Sequence, residues 1–230
     1  MADIVSNLKR VKERVAAAAA RAGRPPGTVL VLAVSKTVPT EAVLEAVRGG
    51  QTHFGENRVQ EARDKIPLLP EGLTWHLVGH LQKNKARYCP ELFSWIHSID
   101  SVELALEVAR RYQGKGRVCR TLVQVSLSGE ESKFGCKPAA AAGIIRTLME
   151  QESTRPVGLM TMPPYDPDPE TARPWFQGLR SLRDDLLRQG LPPETLAELS
   201  MGMTGDFEVA IEEGATIVRI GTAVFGERGY

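Results

Sequence analysis

A lysine at the end of an apolar run is the first residue in this sequence that points to chemistry. Lys36 follows the segment VLAVS, which is typical of a buried strand. A lysine at a strand end is commonly a solvated surface charge. If the side chain instead points into a water-poor cavity, burial favours the neutral amine, which is a nucleophile that forms a Schiff base with an aldehyde. Both interpretations stay open on this residue alone.

Two glycine-containing segments near the C-terminus have the composition of phosphate-binding turns. SMGMTGD covers residues 200–206 and RIGT covers residues 219–222, and each continues an apolar, strand-like run. Glycine lets backbone N–H groups approach a phosphate closely, and Thr204 or Asp206 is suited to capping a following helix. Each segment is also compatible with an ordinary strand-to-helix turn. Their occurrence after the last two predicted strands favours a phosphate site, because barrels frequently bind phosphate there.

The elements that must position these residues are predicted from the alternation of two patterns. Eight apolar, β-branched runs predict strands at 28–36, 52–57, 73–81, 94–100, 119–127, 155–162, 195–202 and 216–226. Apolar residues at three- and four-residue spacing predict helices at 40–50, 102–113, 138–151, 170–190 and 206–215. Strands that alternate with helices form parallel sheets through right-handed crossovers.

Eight strand-and-helix repeats with nothing left over predict a single (β/α)8 TIM-type barrel domain over residues 1–230. An extra amphipathic helix opens the chain, is stopped by Gly23, Pro25 and Pro26, and is expected to pack on the barrel within residues 1–24. A doubly wound open sheet is the alternative. The turn SKTVPTE after the first strand lacks the GxGxxG fingerprint of such nucleotide-binding sheets.

The charge balance argues against whole classes of partner. Lys and Arg number 29 against 28 Asp and Glu, a net charge of +1, so we expect neither nucleic-acid nor anionic-membrane binding. No apolar run approaches the roughly 20 residues that span a bilayer. Three widely spaced cysteines and an N-terminus unlike a secretory signal predict a cytoplasmic protein.

Histidines and methionines in the predicted strands carry weaker signals. His76 and His80 are four residues apart, but TWHLVGHL is a strand pattern, so we expect hydrogen-bonded histidines near the barrel mouth rather than a metal site. His53 and His97 have no obvious partner. The methionines at the predicted ends of strands six and seven suit either a core or the wall of a flat aromatic ligand; they are Met160, Met162, Met201 and Met203.

A Schiff-base lysine and a phosphate cradle together define a ligand with an aldehyde and a phosphate, a description that pyridoxal 5′-phosphate meets. The chain also closely resembles the pyridoxal phosphate homeostasis protein family, relatives of the N-terminal barrel of alanine racemase. The segments that carry the resemblance are AVSKTVP (33–39), HFGENRVQE (53–61), WHLVGHLQKNK (75–85), SIDS (98–101), ESKFGC (131–136), GLMTM (158–162), LSMGMTGDFEVAIEEGAT (199–216) and VRIGTAVFGER (218–228). They lie in order along nearly the whole chain.

The resemblance implies a cofactor, pyridoxal 5′-phosphate, held as a covalent aldimine on Lys36. The residues that it assigns to the phosphate are Ser200, Gly202, Gly221 and Thr222. Those that it places around the ring are Asn57, Met160, Met201 and Arg219. A permanent guanidinium beside the pyridine nitrogen disfavours protonation of the ring, so the cofactor becomes a poorer electron sink. The resemblance implies neither a catalytic residue nor a metal ligand.

Two functions of different classes remain open. The first is a non-catalytic protein, expected to be a monomer, that holds and buffers pyridoxal phosphate, with apo-enzymes as candidate recipients. The alternative is a racemase-like enzyme that depends on the same cofactor. A lysine aldolase for phosphorylated sugars would use the same two features but does not account for the whole-chain resemblance.

A second base separates the two functions. Racemisation in the related enzymes uses a tyrosine from a partner subunit, framed by an extra β domain. This chain ends at Tyr230, four residues after the last predicted strand, and Tyr88, Tyr112 and Tyr165 match no racemase motif. We therefore expect binding without turnover. The roles of Tyr165, Lys133 and Lys137 stay open.

Overall fold

The eight strands close into one parallel barrel in the computed structural model, which describes residues 3–127 and 134–227. The strands are β1 Leu30–Val34, β2 His53–Glu56, β3 Thr74–Leu77, β4 Trp95–Ile99, β5 Cys119–Gln124, β6 Thr154–Met160, β7 Glu198–Met203 and β8 Ile217–Ile220. Their order around the barrel is their order in the chain. Ala33 of β1 lies opposite Phe54 of β2 on one side and Ile220 of β8 on the other. The predicted (β/α)8 barrel is therefore confirmed.

Helices occupy the crossovers between these strands, and one further helix precedes β1 and one follows β8 in the described residues. They are α1 Ile4–Arg21, α2 Thr40–Arg48, α3 Val59–Lys65, α4 Cys89–Leu92, α5 Val102–Gln113, α6 Ala141–Met149, α7 Arg173–Arg188, α8 Phe207–Glu212 and α9 Thr222–Phe225. Local chemistry sets several of their ends. The Ser101 side chain caps α5 by accepting from the N–H of Leu104, and Gly190, with φ at 87°, follows the end of α7.

Several predicted strand boundaries were wrong, two of them by four residues or more. The eighth strand was predicted to run to residue 226 but ends at Ile220, because Gly221 turns the chain and residues 222–225 form α9. Their composition, TAVF, has strand propensity that the local turn overrides. The third strand was predicted to residue 81 but ends at Leu77, which puts His80 in the following loop. Helices α3 and α4 were not predicted.

Alternate residues on the strands divide the core into two layers. In β1, Leu32 and Val34 point into the barrel, whereas Val31 and Ala33 pack against the surrounding helices. The interior layer contains Leu32, Val34, Val78, Trp95, Leu122, Met160 and Ile217. Because every second side chain faces inward, a residue's place in a strand decides whether it can reach the barrel mouth.

The N-terminal helix α1 packs across α2, α8 and α9, as the expected extra helix on the barrel. Its apolar face, which includes Leu8 and Val11, is buried, and Asn7 Nδ2 donates to the carbonyl of Val224 in α9 at 3.1 Å. Ion pairs from α1 to α8, such as Arg14 with Glu208, are exposed and contribute at most about 1 kcal/mol each. No helix in residues 3–127 or 134–227, α1 included, is long and apolar enough to cross a membrane.

Close approach of β6 and β7 yields a stability prediction. A Cβ on Gly158 would lie 2.6 Å from the carbonyl carbon of Glu198, so we expect Gly158→Ala to lower the free energy of unfolding by about 3 kcal/mol or more. Gly143 in α6 has open space around the Cβ position, and Gly143→Ala should raise stability by up to about 1 kcal/mol. Urea unfolding followed by circular dichroism measures both. Equal midpoints for the two variants would contradict the observed strand spacing.

Candidate functional site

A cavity of about 500 Å³ opens at the C-terminal mouth of the barrel. Loops that follow β1, β2, β3, β6, β7 and β8 supply most of its lining. The sequence-predicted residues in that lining are Lys36, Asn57, Arg219, Gly221 and Thr222. Barrels of this class carry their active sites at this end, so the cavity is the candidate site.

The turn that carries Lys36 is held in an unusual backbone conformation. Strand β1 ends at Val34, and the following residues lead into α2. Thr37 has φ of 59°, in the left-handed region that residues other than glycine rarely adopt. Its N–H donates to the carboxylate of Glu61 in α3, and this bond stabilises the conformation. Lys36 is half-buried at the cavity wall as a result.

The buried side chain of Lys65 holds the backbone of Ser35, the residue that precedes Lys36. Lys65 Nζ donates to the carbonyl oxygen of Ser35 at 2.7 Å, to Glu56 Oε1 at 2.9 Å and to Glu61 Oε1 at 2.8 Å. The hydroxyl of Ser35 also donates to Glu56 Oε1, at 2.7 Å. Glu56 is the last residue of β2, and Glu61 and Lys65 are one turn apart on α3. The cluster therefore fixes the Lys36 turn to β2 and α3.

Glu56 depends on Lys65 for its charge. Its side chain is fully buried, and burial raises the pKa of its carboxyl, while the bonds from Lys65 and Ser35 lower that pKa. Within residues 3–127 and 134–227, its Oε2 has no hydrogen-bond partner. Removal of Lys65 would leave this carboxylate buried without its cation.

Arg219 supplies a second buried cation, at the wall of the cavity. Its Nη1 donates to the carbonyl of Ser200 at 2.7 Å and to the Ser200 hydroxyl at 2.8 Å, and its Nη2 donates to the carbonyl of Thr161 at 2.8 Å. Burial lowers the pKa of Arg219 to about 10, so the guanidinium stays charged at neutral pH. Asp206 opposes this shift, and burial raises the pKa of Asp206 in turn.

The loops after β7 and β8 meet at the cavity. The hydroxyl of Thr204 accepts from the N–H of Ala223 at 3.4 Å, which joins the two loops. Asp206 accepts from the N–H of Met203 at 2.6 Å and closes the first loop. At the start of α9, Gly221 is partly exposed and Thr222 is exposed. The paired loops present hydroxyls and the first N–H groups of a helix, which have no acceptor within the helix.

Aromatic and ionisable side chains form the rim of the cavity. The ring of His80 stacks on Phe134 with centroids 3.8 Å apart, and its Nδ1 lies 3.6 Å from Asp100 Oδ2. Tyr165, 90% exposed, and Met162 border the same opening. Lys137 is exposed in the segment after Cys136, and Lys133 lies outside the described residues.

Four sequence-predicted residues lie away from the cavity lining found in the described part of the chain. Met160 is buried in the interior layer of the barrel, and Met201 faces the helices. The Ser200 hydroxyl is 2.8 Å from Arg219 and 2.9 Å from His97. Gly202 has φ of 90°, and a Cβ there would lie 2.6 Å from Cβ of Ala210, so it allows α8 to pack closely.

Sequence reasoning missed the Lys65 cluster and the acceptors of Arg219. Glu61 and Lys65 have the i, i+4 spacing of a helical ion pair, which is a signal within VQEARDK once α3 is recognised. Thr161 acts through its backbone carbonyl, so its side-chain type carries no signal. His76 is hydrogen-bonded as expected, to His53 and His97, but it is fully buried and lies outside the lining of the cavity at the barrel mouth.

Comparison with known proteins places the chain among relatives of matching length. The family model described as alanine racemase, N-terminal domain, matches residues 6–229. The pyridoxal phosphate homeostasis protein of Aquifex aeolicus (strain VF5) is 46% identical over 224 residues, which are 97% of each chain. The Escherichia coli (strain K12) protein of the same name is 39% identical over 234 residues, with 100% of this chain and 99% of that one covered.

Solved structures show the same barrel. The structure of PipY of Synechococcus elongatus PCC7942 with PLP bound is 40% identical and superposes with a TM-score of 0.81, covering 94% of this chain and 100% of PipY. Alanine racemase of Clostridium difficile 630 has a TM-score of 0.76 at 14% identity and covers 99% of this chain, but only 60% of the racemase is matched. The second likeness extends to the fold alone.

The Lys65 cluster predicts a pH-dependent loss of stability. Lys65→Met should lower the free energy of unfolding by about 3–5 kcal/mol at pH 8, because it leaves Glu56 buried without its cation. Burial raises the folded-state pKa of Glu56 above its usual 4.5 and Lys65 lowers it, so Lys65→Met should raise that pKa further than in wild type, and protonation then favours the folded state of the variant more strongly. The deficit of Lys65→Met should therefore be smallest below about pH 4.5 and grow as pH rises through the folded-state pKa.

The measurement is urea unfolding of wild type and Lys65→Met at several pH values. The double variant Glu56→Gln/Lys65→Met has no carboxylate at position 56 that could be left without a cation. Its loss of unfolding free energy relative to wild type should therefore vary less with pH. A Lys65→Met deficit that does not change with pH would contradict the dependence of Glu56 on Lys65.

Proposed function

Because this chain belongs to the family of pyridoxal phosphate homeostasis proteins, we propose that it binds pyridoxal 5′-phosphate in the cavity at the barrel mouth and acts in the homeostasis of that cofactor. The observation that carries the proposal is that an amine and a buried guanidinium, Lys36 and Arg219, line one cavity of about 500 Å³. That volume suits a single small aromatic ligand. The family relationship supports the identity of the ligand.

The groups in the lining fit the three functional groups of the cofactor. The aldehyde is matched by the amine of Lys36, and the ring nitrogen by Arg219, which keeps its charge while buried. The phosphate is matched by Gly221 and Thr222, together with the Thr204 loop that is joined to them. Asn57 lies in the same lining. This donor set supports residue assignments that the sequence alone could only suggest.

The remaining predicted residues take supporting roles in this proposal. Ser200 orients Arg219 with its hydroxyl and carbonyl, and Gly202 allows α8 to approach β7. Met160 supports the site from inside the barrel. Met201 faces the helices, so we assign it to the core rather than to the ring.

Lys36 holds the cofactor as a Schiff base in our proposal. When bound, the cofactor supplies an aldehyde that condenses reversibly with amines and a ring that can withdraw electrons. The electron-withdrawing power is greatest when the ring nitrogen is protonated. Arg219 is a donor that stays charged, so it leaves the ring nitrogen as an acceptor and disfavours its protonation. Binding and exchange without turnover follow from this arrangement.

One observation favours the alternative of a racemase-like enzyme. His80, with Asp100 beside it, and Tyr165 border the cavity that contains Lys36, so ionisable groups are present at the rim. Tyr165 is 90% exposed, and no hydrogen bond orients its hydroxyl within the described residues. A general base must be held within hydrogen-bond reach of the proton that it removes. We therefore favour the binding function.

We also propose that the protein is a cytoplasmic monomer that passes its cofactor to apo-enzymes. The three cysteines, Cys89, Cys119 and Cys136, are buried free thiols, which supports a reducing compartment. Apart from those at the cavity rim and the pair Val102 and Leu106 on α5, the large apolar side chains exposed in the described residues lie on separate elements, and this supports a monomer. Exchange with free amines at Lys36 would allow transfer.

Borohydride reduction tests the covalent assignment. We expect one cofactor to become fixed on Lys36 after reduction of the loaded protein, as located by peptide mass spectrometry. Lys36→Ala should fold normally and lose the adduct, whereas Lys137→Ala should keep it, because Lys137 is exposed outside the cavity lining. An adduct found mainly on Lys133 or Lys137 in wild type would refute the assignment.

Hydrogen exchange at Cα separates the binding function from the alternative. We expect the loaded protein, incubated with single L- or D-amino acids in deuterated water, to introduce no deuterium at Cα above the level of free pyridoxal phosphate. The reason is the unprotonated ring nitrogen beside Arg219. Mass spectrometry of the recovered amino acids measures the exchange. Rapid exchange that disappears in Lys36→Ala would establish the racemase-like function instead.

A further inference from the structure

A continuous series of hydrogen bonds crosses the inside of the barrel and ends at Arg219. His53 Nδ1 lies 3.0 Å from His76 Nε2, His76 Nδ1 lies 2.9 Å from His97 Nε2, and His97 Nδ1 lies 2.9 Å from the Ser200 hydroxyl. That hydroxyl accepts from Arg219 Nη1 at 2.8 Å. The participating residues come from β2, β3, β4, β7 and β8. We name His53, His76, His97 and Ser200 the histidine chain.

We propose that the histidine chain positions the guanidinium of Arg219 at the cavity. The chain reaches Arg219 through Ser200, so its histidines are positioning residues and make no contact with a ligand in this proposal. The importance of Arg219 for the cofactor rests on the proposed function. The arrangement of the histidine chain is independent of that function.

The donor and acceptor capacities of these groups fix the direction of every hydrogen bond in the histidine chain. A guanidinium only donates, so the Ser200 hydroxyl accepts from Arg219. If His97 Nδ1 also donated to that hydroxyl, the hydroxyl proton would have no acceptor among the contacts found in the described residues, which is costly in a buried site. Ser200 therefore donates to His97 Nδ1. His97 Nε2 must then donate to His76 Nδ1, and His76 Nε2 to His53 Nδ1.

This direction requires neutral histidines that all carry their proton on Nε2. A protonated imidazole has two donors and no acceptor, so it would break the series. Burial lowers the pKa of His97 to about 3, with a further contribution from Arg219, and it lowers the pKa of His76 well below its usual value. Burial also lowers the pKa of His53, and Arg120 lowers the pKa of both His53 and His76.

The histidine chain gives Arg219 a third acceptor of fixed direction, the Ser200 hydroxyl, beside the two backbone carbonyls that already accept from it. Ser200 is paired with Met160 of β6, and the N–H of Thr161 donates to the carbonyl of Ser200, so both backbones are fixed. A hydroxyl, in contrast, rotates unless a partner takes its proton. His97 takes that proton, so the lone pairs of Ser200 face Arg219. Hydrogen bonds in series also polarise one another, which strengthens the last bond of the chain.

Nuclear magnetic resonance of the cofactor-free protein tests the chain directly. Long-range correlations between imidazole protons and nitrogens report the tautomer and charge of each histidine. We expect His76 and His97 to be neutral, with the proton on Nε2, from pH 8 to pH 5. A proton on Nδ1, averaged tautomers or protonation within that range would overturn the proposal.

Two substitutions at His97 separate its two bonds. The amide of an asparagine lies near the position of Nδ1 and can keep the bond to Ser200, whereas the amide of a glutamine lies near Nε2 and can keep the bond to His76. His97→Asn should therefore keep the Arg219 guanidinium more rigid than His97→Gln does.

Ser200→Ala removes the last bond of the histidine chain, the one to Arg219. Ser98→Ala is its matched control, because Ser98 is equally buried and its hydroxyl has no partner in the described residues.

The variants are compared by two readouts, the rotation of the Arg219 guanidinium without cofactor and the affinity for pyridoxal phosphate. We expect Ser200→Ala and His97→Gln to speed the rotation and to weaken binding by about tenfold, the scale of one bond to a charged group. Ser98→Ala should match wild type in both readouts. Unchanged rotation in Ser200→Ala and His97→Gln would overturn the proposal. If wild type binds pyridoxal phosphate, an unchanged affinity in these two variants would also overturn the proposal.

Failure of the proposed function gives a different result. If wild type does not bind pyridoxal phosphate, the function is wrong, and the rotation of Arg219 in the cofactor-free variants still decides whether the histidine chain positions it. Faster rotation in Ser200→Ala but not in Ser98→Ala would support the chain without any cofactor.

Discussion

A buried guanidinium must find an acceptor for each N–H that it withdraws from water, and this constraint shapes the mouth of the barrel. Arg219 makes three such bonds within the described residues, all to neutral oxygens, which are the carbonyls of Ser200 and Thr161 and the Ser200 hydroxyl. A buried charge without such partners costs several kcal/mol. The ends of β6 and β7 must therefore stay in register with β8. The same bonds keep a permanent cation in the wall of a ligand-sized cavity.

The turn that carries Lys36 is held by the opposite arrangement. There the buried cation, Lys65, does have carboxylate partners, Glu56 and Glu61, and it also holds the backbone beside Lys36. Lys36 is thus placed by its neighbours and keeps its own amine at the cavity wall. Lys65 holds the backbone of the turn, whereas Lys36 and Arg219 both lie in the lining of the cavity.

Periodicity in the sequence was sufficient to predict the eight strands, their parallel order and the end of the barrel where Lys36 and Thr222 would meet. It was insufficient wherever side-chain direction decided the outcome. Met160 and Met201 are both buried methionines of adjacent strands, yet one faces the interior and the other the helices, because that depends on register. Ser200 was predicted as a phosphate ligand, but its hydroxyl lies between His97 and Arg219. Contacts among five strands leave no pattern in a linear sequence.

Titration of the purified protein with pyridoxal phosphate, followed by its visible absorption spectrum, tests the central claim most directly. We expect a saturable change in the cofactor's absorption band at one equivalent in wild type. We expect no such change in Lys36→Ala, and a much weaker response to unphosphorylated pyridoxal. An unchanged spectrum in wild type, or an equal response in Lys36→Ala, would contradict the claim that Lys36 and Arg219 share one cofactor site.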